Sequence, residues 1–492
     1  MFVNDIRYHN ANSRTSISPG ITKPEPVSQK LATVRLLPIP LLYKYIQDTL
    51  VINIPFQYHY QKNQYPISIL FLIIYLVFLA AIPFRRKTFW LYCRINLYMS
   101  PAIAMAVEEK EYDSNHKEAE SQYQKGVKHL CESGISRVPA KYILPILDRP
   151  FTTRHDEVNV SNQHNLNLPI IDFADLQGSN RARVLKTLSN ACEQYGFFQV
   201  VNHGIPSDVI SSMIEVSTRF FELPFEERAK YMSSDMYSPV RYGTSFNQNK
   251  DKVFCWRDFL KLMCHPISDV LPHWPSSPVD FRKLAATYAK ETKFLYLMLM
   301  EAVLESLEVV GTTEKKTEEE DDDDDDQLLL KKFEDGSQLM VVNFYPPCPE
   351  PDLTLGMPPH SDYGFLTLLL QDEVEGLQIK HHEKWVTVQP IPNSFVVNVG
   401  DHLEIFSNGK YKSVLHRVLV NSMKARISVA SLHSLPFDCT VAPSPKLIDE
   451  SNPRRYKDTD FASFLEFISS REPKRKNFLE TRKIFDLENQ IN

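Results

Sequence analysis

Residues 338–371 read QLMVVNFYPPCPEPDLTLGMPPHSDYGFLTLLLQ. Two short runs rich in aliphatic and aromatic residues, QLMVVNFY and FLTLLLQ, enclose a stretch crowded with proline and glycine. Such runs between turn-forming clusters read as β-strands rather than helices. Further short runs follow: FVVNVG (395–400), SVLHRVLV (413–420) and ISVASLH (427–433). Turn-forming sequence bounds them (PPCP, DEVEG, PIPN, SNG and NSMK). The region from 337 to 482 is therefore expected to be a β-sandwich or jelly roll.

Upstream the texture is helical. LPIIDF (168–173) reads as a strand, and residues 180–195 as a helix with Val184, Leu185, Leu188, Ala191 and Cys192 on one face. FFQVVNHG (197–204) is a strand ending in a glycine turn. A helix follows from Pro206, with Val209, Ile210, Met213 and Val216 aligned. A long helix is predicted from Ser277 as N-cap, with Pro278 in its first turn and Gly311 as its stop. The fold class is mostly β with a helical layer.

The 492 residues, 43% of them hydrophobic, suffice for a large core. Nine consecutive acids, Glu318 to Asp326, outweigh the whole net charge of -6, so no nucleic-acid-binding surface is indicated. By composition the insertion at 312–337 is expected to be solvated and disordered. The 7 cysteines are dispersed, with no CxxC pair, as expected of reduced thiols in a cytoplasmic protein. Residues 1–104 form an atypical extension. Its apolar run, 67–84, is short for a membrane span and too deep for a signal peptide. If it did cross a membrane, Arg85, Arg86 and Lys87 would keep the remainder on the cytosolic side. The plainer reading is that the working protein starts at Met105, with a helical region over 105–336, the β core over 337–482 and a tail over 483–492.

In extended chain, residues i and i+2 point to one side. His360 and Asp362 can thus face one cavity, and His416, in an apolar strand, can supply a third ligand. Two histidines and one carboxylate on one face of an ion leave positions open, a pattern typical of non-haem Fe(II) oxygenases. A closed structural zinc site would recruit cysteines instead. Arg426 and Ser428, ten and twelve residues beyond His416, again share a strand face. A guanidinium directed into an apolar barrel is costly unless an anion meets it, and it grips a carboxylate through two parallel hydrogen bonds. A dicarboxylate could meet the metal at one end and Arg426 and Ser428 at the other.

These residues resemble the H-x-D…H…R-x-S signature of the plant 2-oxoglutarate/Fe(II)-dependent dioxygenases. NFYPPCP (343–349), ACEQYGFFQVVNHGIP (191–206) and FFELPFEERAKY (220–231) are similar to further family motifs and occur in family order, so the resemblance spans about residues 125–482. It implies a double-stranded β-helix core, with Fe(II), 2-oxoglutarate and O2 as cofactor and co-substrates and ascorbate as a candidate reductant. It also implies that Tyr345 bonds the co-substrate and Asn343 supports the site. Phe344 departs from the usual tyrosine.

The reaction implied is oxidative decarboxylation of 2-oxoglutarate to succinate and CO2, coupled to hydroxylation or desaturation of a small molecule. The look is closest to flavanone-hydroxylase-like and downy-mildew-resistance-type oxygenases, pointing to a flavonoid or phenolic acid. Tyr242, Phe246, Phe259 and Phe365 are the candidate pocket aromatics. Gibberellin-type oxidases and ascorbate-dependent oxidases of the same fold are alternatives, as is a non-catalytic jelly-roll binding protein. The partner expected is a small molecule, with no nucleic acid, and the chain is expected to be a monomer.

Overall fold

The computed structural model describes residues 125–150, 167–245, 251–311, 322–470 and 478–484. The extension 1–104 with its apolar run, Met105 and Phe246 lie outside them. Two sheets form the body. The larger contains eight strands in the order β1-β2-β10-β7-β12-β5-β4-β3, and the smaller four in the order β6-β11-β8-β9. Their ranges are β1 Ile170–Asp172, β2 Phe197–Val201, β3 Val240–Thr244, β4 Asp258–Met263, β5 Gln338–Tyr345, β6 Met357–His360, β7 Leu366–Gln371, β8 Leu377–His381, β9 Lys384–Thr387, β10 Phe395–Val399, β11 His416–Val418 and β12 Arg426–His433. Every pairing is antiparallel except β1 with β2. This is a mostly β jelly roll with a helical layer.

Strand alternation divides the large sheet into two faces with different duties. On β12, Ile427 and Val429 enter the main hydrophobic core, whereas Arg426, Ser428, Ala430 and Leu432 border a cavity. On β5, Met340, Val342 and Phe344 are core residues, whereas Leu339, Val341, Asn343 and Tyr345 face the cavity. Phe344, the departure from the family motif, therefore points away from the cavity. It stacks on Phe221 with ring centroids 5.0 Å apart.

The helical layer covers the core face. Its main helices are α1 Arg181–Gln194, α2 Ser207–Glu222, α3 Phe281–Ser306 and α4 Asp322–Glu334, while α5 Phe461–Ser470 lies on the cavity side. In α1 the buried residues are Val184, Leu188, Ala191 and Cys192, the face expected from their spacing. Helix α3 starts later than predicted. Residues 278–281 close a separate turn, with the Phe281 N–H donating to Pro278 C=O at 2.9 Å. Asp280 occupies the N-cap position, and its carboxylate accepts from Arg219 at 2.7 Å instead of capping. The helix also ends before Gly311, because Glu308 adopts φ 62° and the Val309 N–H returns to Leu304 C=O at 3.0 Å.

The acidic insertion is corrected in part. Residues 312–321 lie outside the described set, but Asp322–Glu334 is a helix rather than disordered chain. Composition missed its apolar lower half. Phe333 is buried against Phe365 at 4.8 Å between centroids, and Leu329 and Leu330 pack on the core. Lys293 donates to the Phe333 and Gly336 carbonyls at 3.0 and 2.9 Å, closing the helix end. Asp326 accepts from the Gly311 N–H and from Lys446, both at 3.0 Å.

Six cysteines fall in the described residues, and all six are free thiols. Among the described residues no helix is long and apolar enough to cross a membrane.

Candidate active site

The inner faces of the two sheets enclose a cavity of about 250 Å³. In β11, His416 stands directly opposite His360 of β6, and a register shift separates it from Val418. The two imidazole centroids are 4.1 Å apart. The strand β6 ends at His360, and Asp362, two residues on and outside the ladder, borders the same cavity as the i, i+2 spacing led one to expect. The Asp401 N–H donates to its carbonyl at 2.8 Å, and the Asn398 amide donates to its Oδ2, also at 2.8 Å. Just beyond it the chain bends at Gly364, which has φ 100° and where a Cβ would lie 2.6 Å from the His433 carbonyl.

Asp362 Oδ1 lies 3.7 Å from His360 Nε2 and 3.6 Å from His416 Nε2. One ligand atom from each of the three residues falls within 4.8 Å of the others. The opposite ring nitrogens face backbone carbonyls, His360 Nδ1 at 2.8 Å from Pro358 and His416 Nδ1 at 3.4 Å from Val414. With the proton on Nδ1, each Nε2 lone pair is free to meet a metal. Burial, together with the neighbouring His416, pushes the His360 pKa down to about 4, which keeps that ring neutral. Burial opposes ionisation of Asp362. The two imidazoles and the hydrogen bond from Asn398 outweigh it and hold the carboxyl below its usual range. This donor set fits a hard-to-borderline divalent ion held on one face.

Arg426 is fixed by protein contacts on two edges. Its Nε donates to Val374 C=O at 3.1 Å and its Nη2 to Gln371 Oε1 at 2.8 Å, while Nη1 lies 3.3 Å from Ser428 Oγ. Among the described residues no carboxylate forms an ion pair with it; the nearby acid is Asp372, which accepts from the Ile427 N–H. In the β5–β12 ladder Tyr345 is opposite Arg426, and Asn343 is opposite Ser428. Burial raises the Tyr345 pKa, leaving a neutral phenol as donor. Asn343 Oδ1 is buried without a partner among the described residues. Arg426, Ser428 and Tyr345 present donors that fit a carboxylate, whereas the unpartnered atom of Asn343 is an acceptor. The structure thus gathers all seven residues singled out from sequence around one cavity.

Of the candidate aromatics, Phe259 lines the cavity. Tyr242 and Phe365 do not: both are core residues, Tyr242 accepting a hydrogen bond from Arg228 at 2.8 Å. The apolar wall comes instead from Tyr363, Phe461, Phe464, Leu465 and Ile468. Sequence reading also missed Asn398, whose signal was an amide in the otherwise apolar FVVNV, and the cationic residues Arg241, Arg257 and Lys261.

A jelly roll with this donor set and this arginine in one cavity has the architecture of an oxygenase that takes a 2-oxo dicarboxylate. The chain belongs to the 2OG-Fe(II) oxygenase superfamily, whose profile matches residues 336–434; a second profile, non-haem dioxygenase in morphine synthesis N-terminal, matches residues 168–277. Protein DMR6-LIKE OXYGENASE 2 of Arabidopsis thaliana is 40% identical over 336 residues, 68% of this chain and 90% of the relative. Flavanone 3-dioxygenase 2 of Oryza sativa subsp. japonica is 40% identical over 365 residues, 74% of this chain and 98% of the relative. Among solved structures, JOX2 in complex with 2OG, Fe and JA superposes with TM-score 0.63 at 32% identity, covering 73% of this chain and 98% of that one. The chain is accordingly an oxidoreductase, a dioxygenase that uses Fe(II), 2-oxoglutarate and O2.

Proposed function

We propose that this dioxygenase hydroxylates or desaturates a small aromatic plant metabolite of the flavonoid or phenolic-acid kind, releasing succinate and CO2. His360, Asp362 and His416 hold the iron. Arg426 and Ser428 take the far carboxylate of 2-oxoglutarate, with Tyr345 and Asn343 beside it. The bound iron supplies the coupling of O2 reduction to decarboxylation and substrate oxidation. The protein's own part is positioning. Asn398 fixes the orientation of Asp362, the backbone carbonyls of Pro358 and Val414 fix the histidine rings, and the apolar wall excludes water from the reacting centre.

The observation that carries this reading is the placement of the His-Asp-His cluster and of Arg426, which has no ion pair among the described residues, around one cavity. An aromatic substrate is supported by the aromatic wall at Tyr363, Phe461 and Phe464. Succinate release on turnover is the test. Stoichiometric succinate is expected with each product formed, and a screen of flavonoids and phenolic acids scored by 2-oxoglutarate consumption then identifies the substrate. Oxidation supported by ascorbate without succinate would overturn the assignment.

A further inference from the structure

The proposed function leaves one buried acid of the cavity wall unused. Asp401 is 1% exposed and borders the cavity, and among the described residues no cation forms an ion pair with it. Its partners are hydroxyl groups from two distant segments. Asp401 Oδ1 accepts from Ser413 Oγ at 2.7 Å, and Oδ2 accepts from Ser361 Oγ at 3.2 Å. Ser361 is the residue between His360 and Asp362, and Ser413 lies three residues before His416. One carboxylate therefore joins the two stretches of chain that carry the candidate metal ligands.

Both stretches lie outside the ladders where the carboxylate meets them. Strand β6 stops at His360 and β7 starts at Leu366, while β11 begins only at His416. The β6–β11 ladder pairs His360 with His416 and goes no further, so it sets no distance between Asp362 and His416. The chain around Asp401 docks on the first stretch through its backbone. The N–H groups of Gly400, Asp401 and His402 donate to the Phe365, Asp362 and Gly364 carbonyls at 2.9, 2.8 and 2.9 Å. The approach is so close that a Cβ on Gly400 would lie 2.3 Å from the Gly364 carbonyl oxygen. The helical turn Asp401–Phe406 grips the second stretch as well. Beside the Asp401 contact, Glu404 Oε2 accepts from the Ser413 N–H at 2.6 Å, and its Oε1 accepts from Tyr456 Oη at 2.6 Å. A buried carboxylate is costly to desolvate. An apolar side chain could fill the same space without that cost, but it could not tie the two segments together.

We propose that Asp401 is a positioning residue for the iron: by bridging Ser361 and Ser413 it holds Asp362 and His416 at their spacing before the metal arrives. The inference rests on the assignment of His360, Asp362 and His416 as the ligands. The two-pronged bridge is what acts, rather than the charge. Asparagine has the same shape and can keep both prongs, accepting from Ser413 through its oxygen and donating to Ser361 through its amide, because a serine hydroxyl accepts as well as donates.

Anaerobic Co(II) titration of the full chain, followed by visible absorption, reads metal affinity and ligand geometry without turnover. Asp401→Ala should bind Co(II) roughly ten- to hundred-fold more weakly and with an altered d–d spectrum, the usual scale for losing a group that orients a ligand. Asp401→Asn should restore both. Ser361→Ala and Ser413→Ala should each weaken the site, and together they should do so less than additively, because either cut alone opens the bridge. A purely structural role would lower the urea midpoint of metal-free Asp401→Ala while its folded fraction kept the wild-type Co(II) affinity and spectrum, and that result would overturn the proposal. So would an Asp401→Asn protein as weak as the alanine variant, or additive serine effects. If Asp401→Ala does not fold, the serine pair decides by the same criterion. A wild-type chain that binds no Co(II) would instead remove the ligand assignment beneath the inference.

Discussion

Replacing Arg426 with lysine keeps the charge and removes the planar fork, so it separates geometry from electrostatics. In the structure the fork is pre-set. Val374 C=O and Gln371 Oε1 hold Nε and Nη2 at 3.1 and 2.8 Å, and a Cβ on Gly376 would lie 3.0 Å from Arg426 Cδ, so the stem has little room to shift. A lysine ammonium is a point donor and cannot serve both protein acceptors and a carboxylate in that plane. One charge-assisted hydrogen bond contributes about 1.5–3 kcal/mol, which corresponds to a roughly ten- to hundred-fold weaker affinity for 2-oxoglutarate. Calorimetric titration of 2-oxoglutarate into the Mn(II)-loaded protein reads this directly, and metal affinity without co-substrate should barely change. Ser428→Ala should give a smaller loss. The double substitution should be less than additive, since Arg426 Nη1 and Ser428 Oγ are 3.3 Å apart and grip one group. An Arg426→Lys enzyme with wild-type dependence on 2-oxoglutarate would refute the assignment and favour an ascorbate-supported oxidase.

Alanine at His360, Asp362 or His416 should abolish iron-dependent turnover with the circular-dichroism spectrum preserved; near-normal activity of His416→Ala would remove that residue from the site. Asn398→Ala frees Asp362 Oδ2 from its 2.8 Å hydrogen bond, and Co(II) titration should show a roughly ten- to hundred-fold weaker metal site with the 2-oxoglutarate KM unchanged at saturating metal. Phe333→Ala removes the buried anchor of α4 and should cost about 3–5 kcal/mol in denaturant unfolding; a loss within error would mean that the helix adds nothing to the core. A chain beginning at Met105 should stay in the supernatant and turn over 2-oxoglutarate at the full-length rate, and precipitation would count against a dispensable extension.

The β core, His416 and the co-substrate residues were legible because they recur at fixed strand parity within apolar runs, and His360 with Asp362 because a histidine and a carboxylate stand two residues apart. His360 and His416, and Arg426 with Ser428, each stand out as polar residues where an apolar one would otherwise pack. The same criterion failed for β3 and β4. VRYGT and DFLKLM have cations at their cavity-facing positions, so they do not read as strands. Strands β8 and β9, LQIKH and KWVT, are likewise interrupted by charge. Tyr242 and Phe365 show the converse error. An aromatic residue gives no sign of which face it occupies until its strand's register is known, and both lie on the core side. Helix α4 was hidden by the acids before it, since mean composition cannot reveal one buried phenylalanine at the far end of a charged segment.

The alternation on β5 and β12 acts as a reading frame. Inserting or deleting a single residue within β12 would exchange Arg426 and Ser428 for Ile427 and Val429 on the cavity wall, turning an anion seat into a greasy surface while burying a guanidinium among core side chains. The paired strand shares the constraint, because Tyr345 and Asn343 are matched to Arg426 and Ser428 across the ladder. The segment between α3 and α4 carries no such phase. Chain can accumulate there, as the acidic stretch has, because Lys293 and Phe333 re-anchor the backbone before β5 begins. Length variation is therefore tolerated between α3 and α4 and lethal to the site within the strands that carry the alternation.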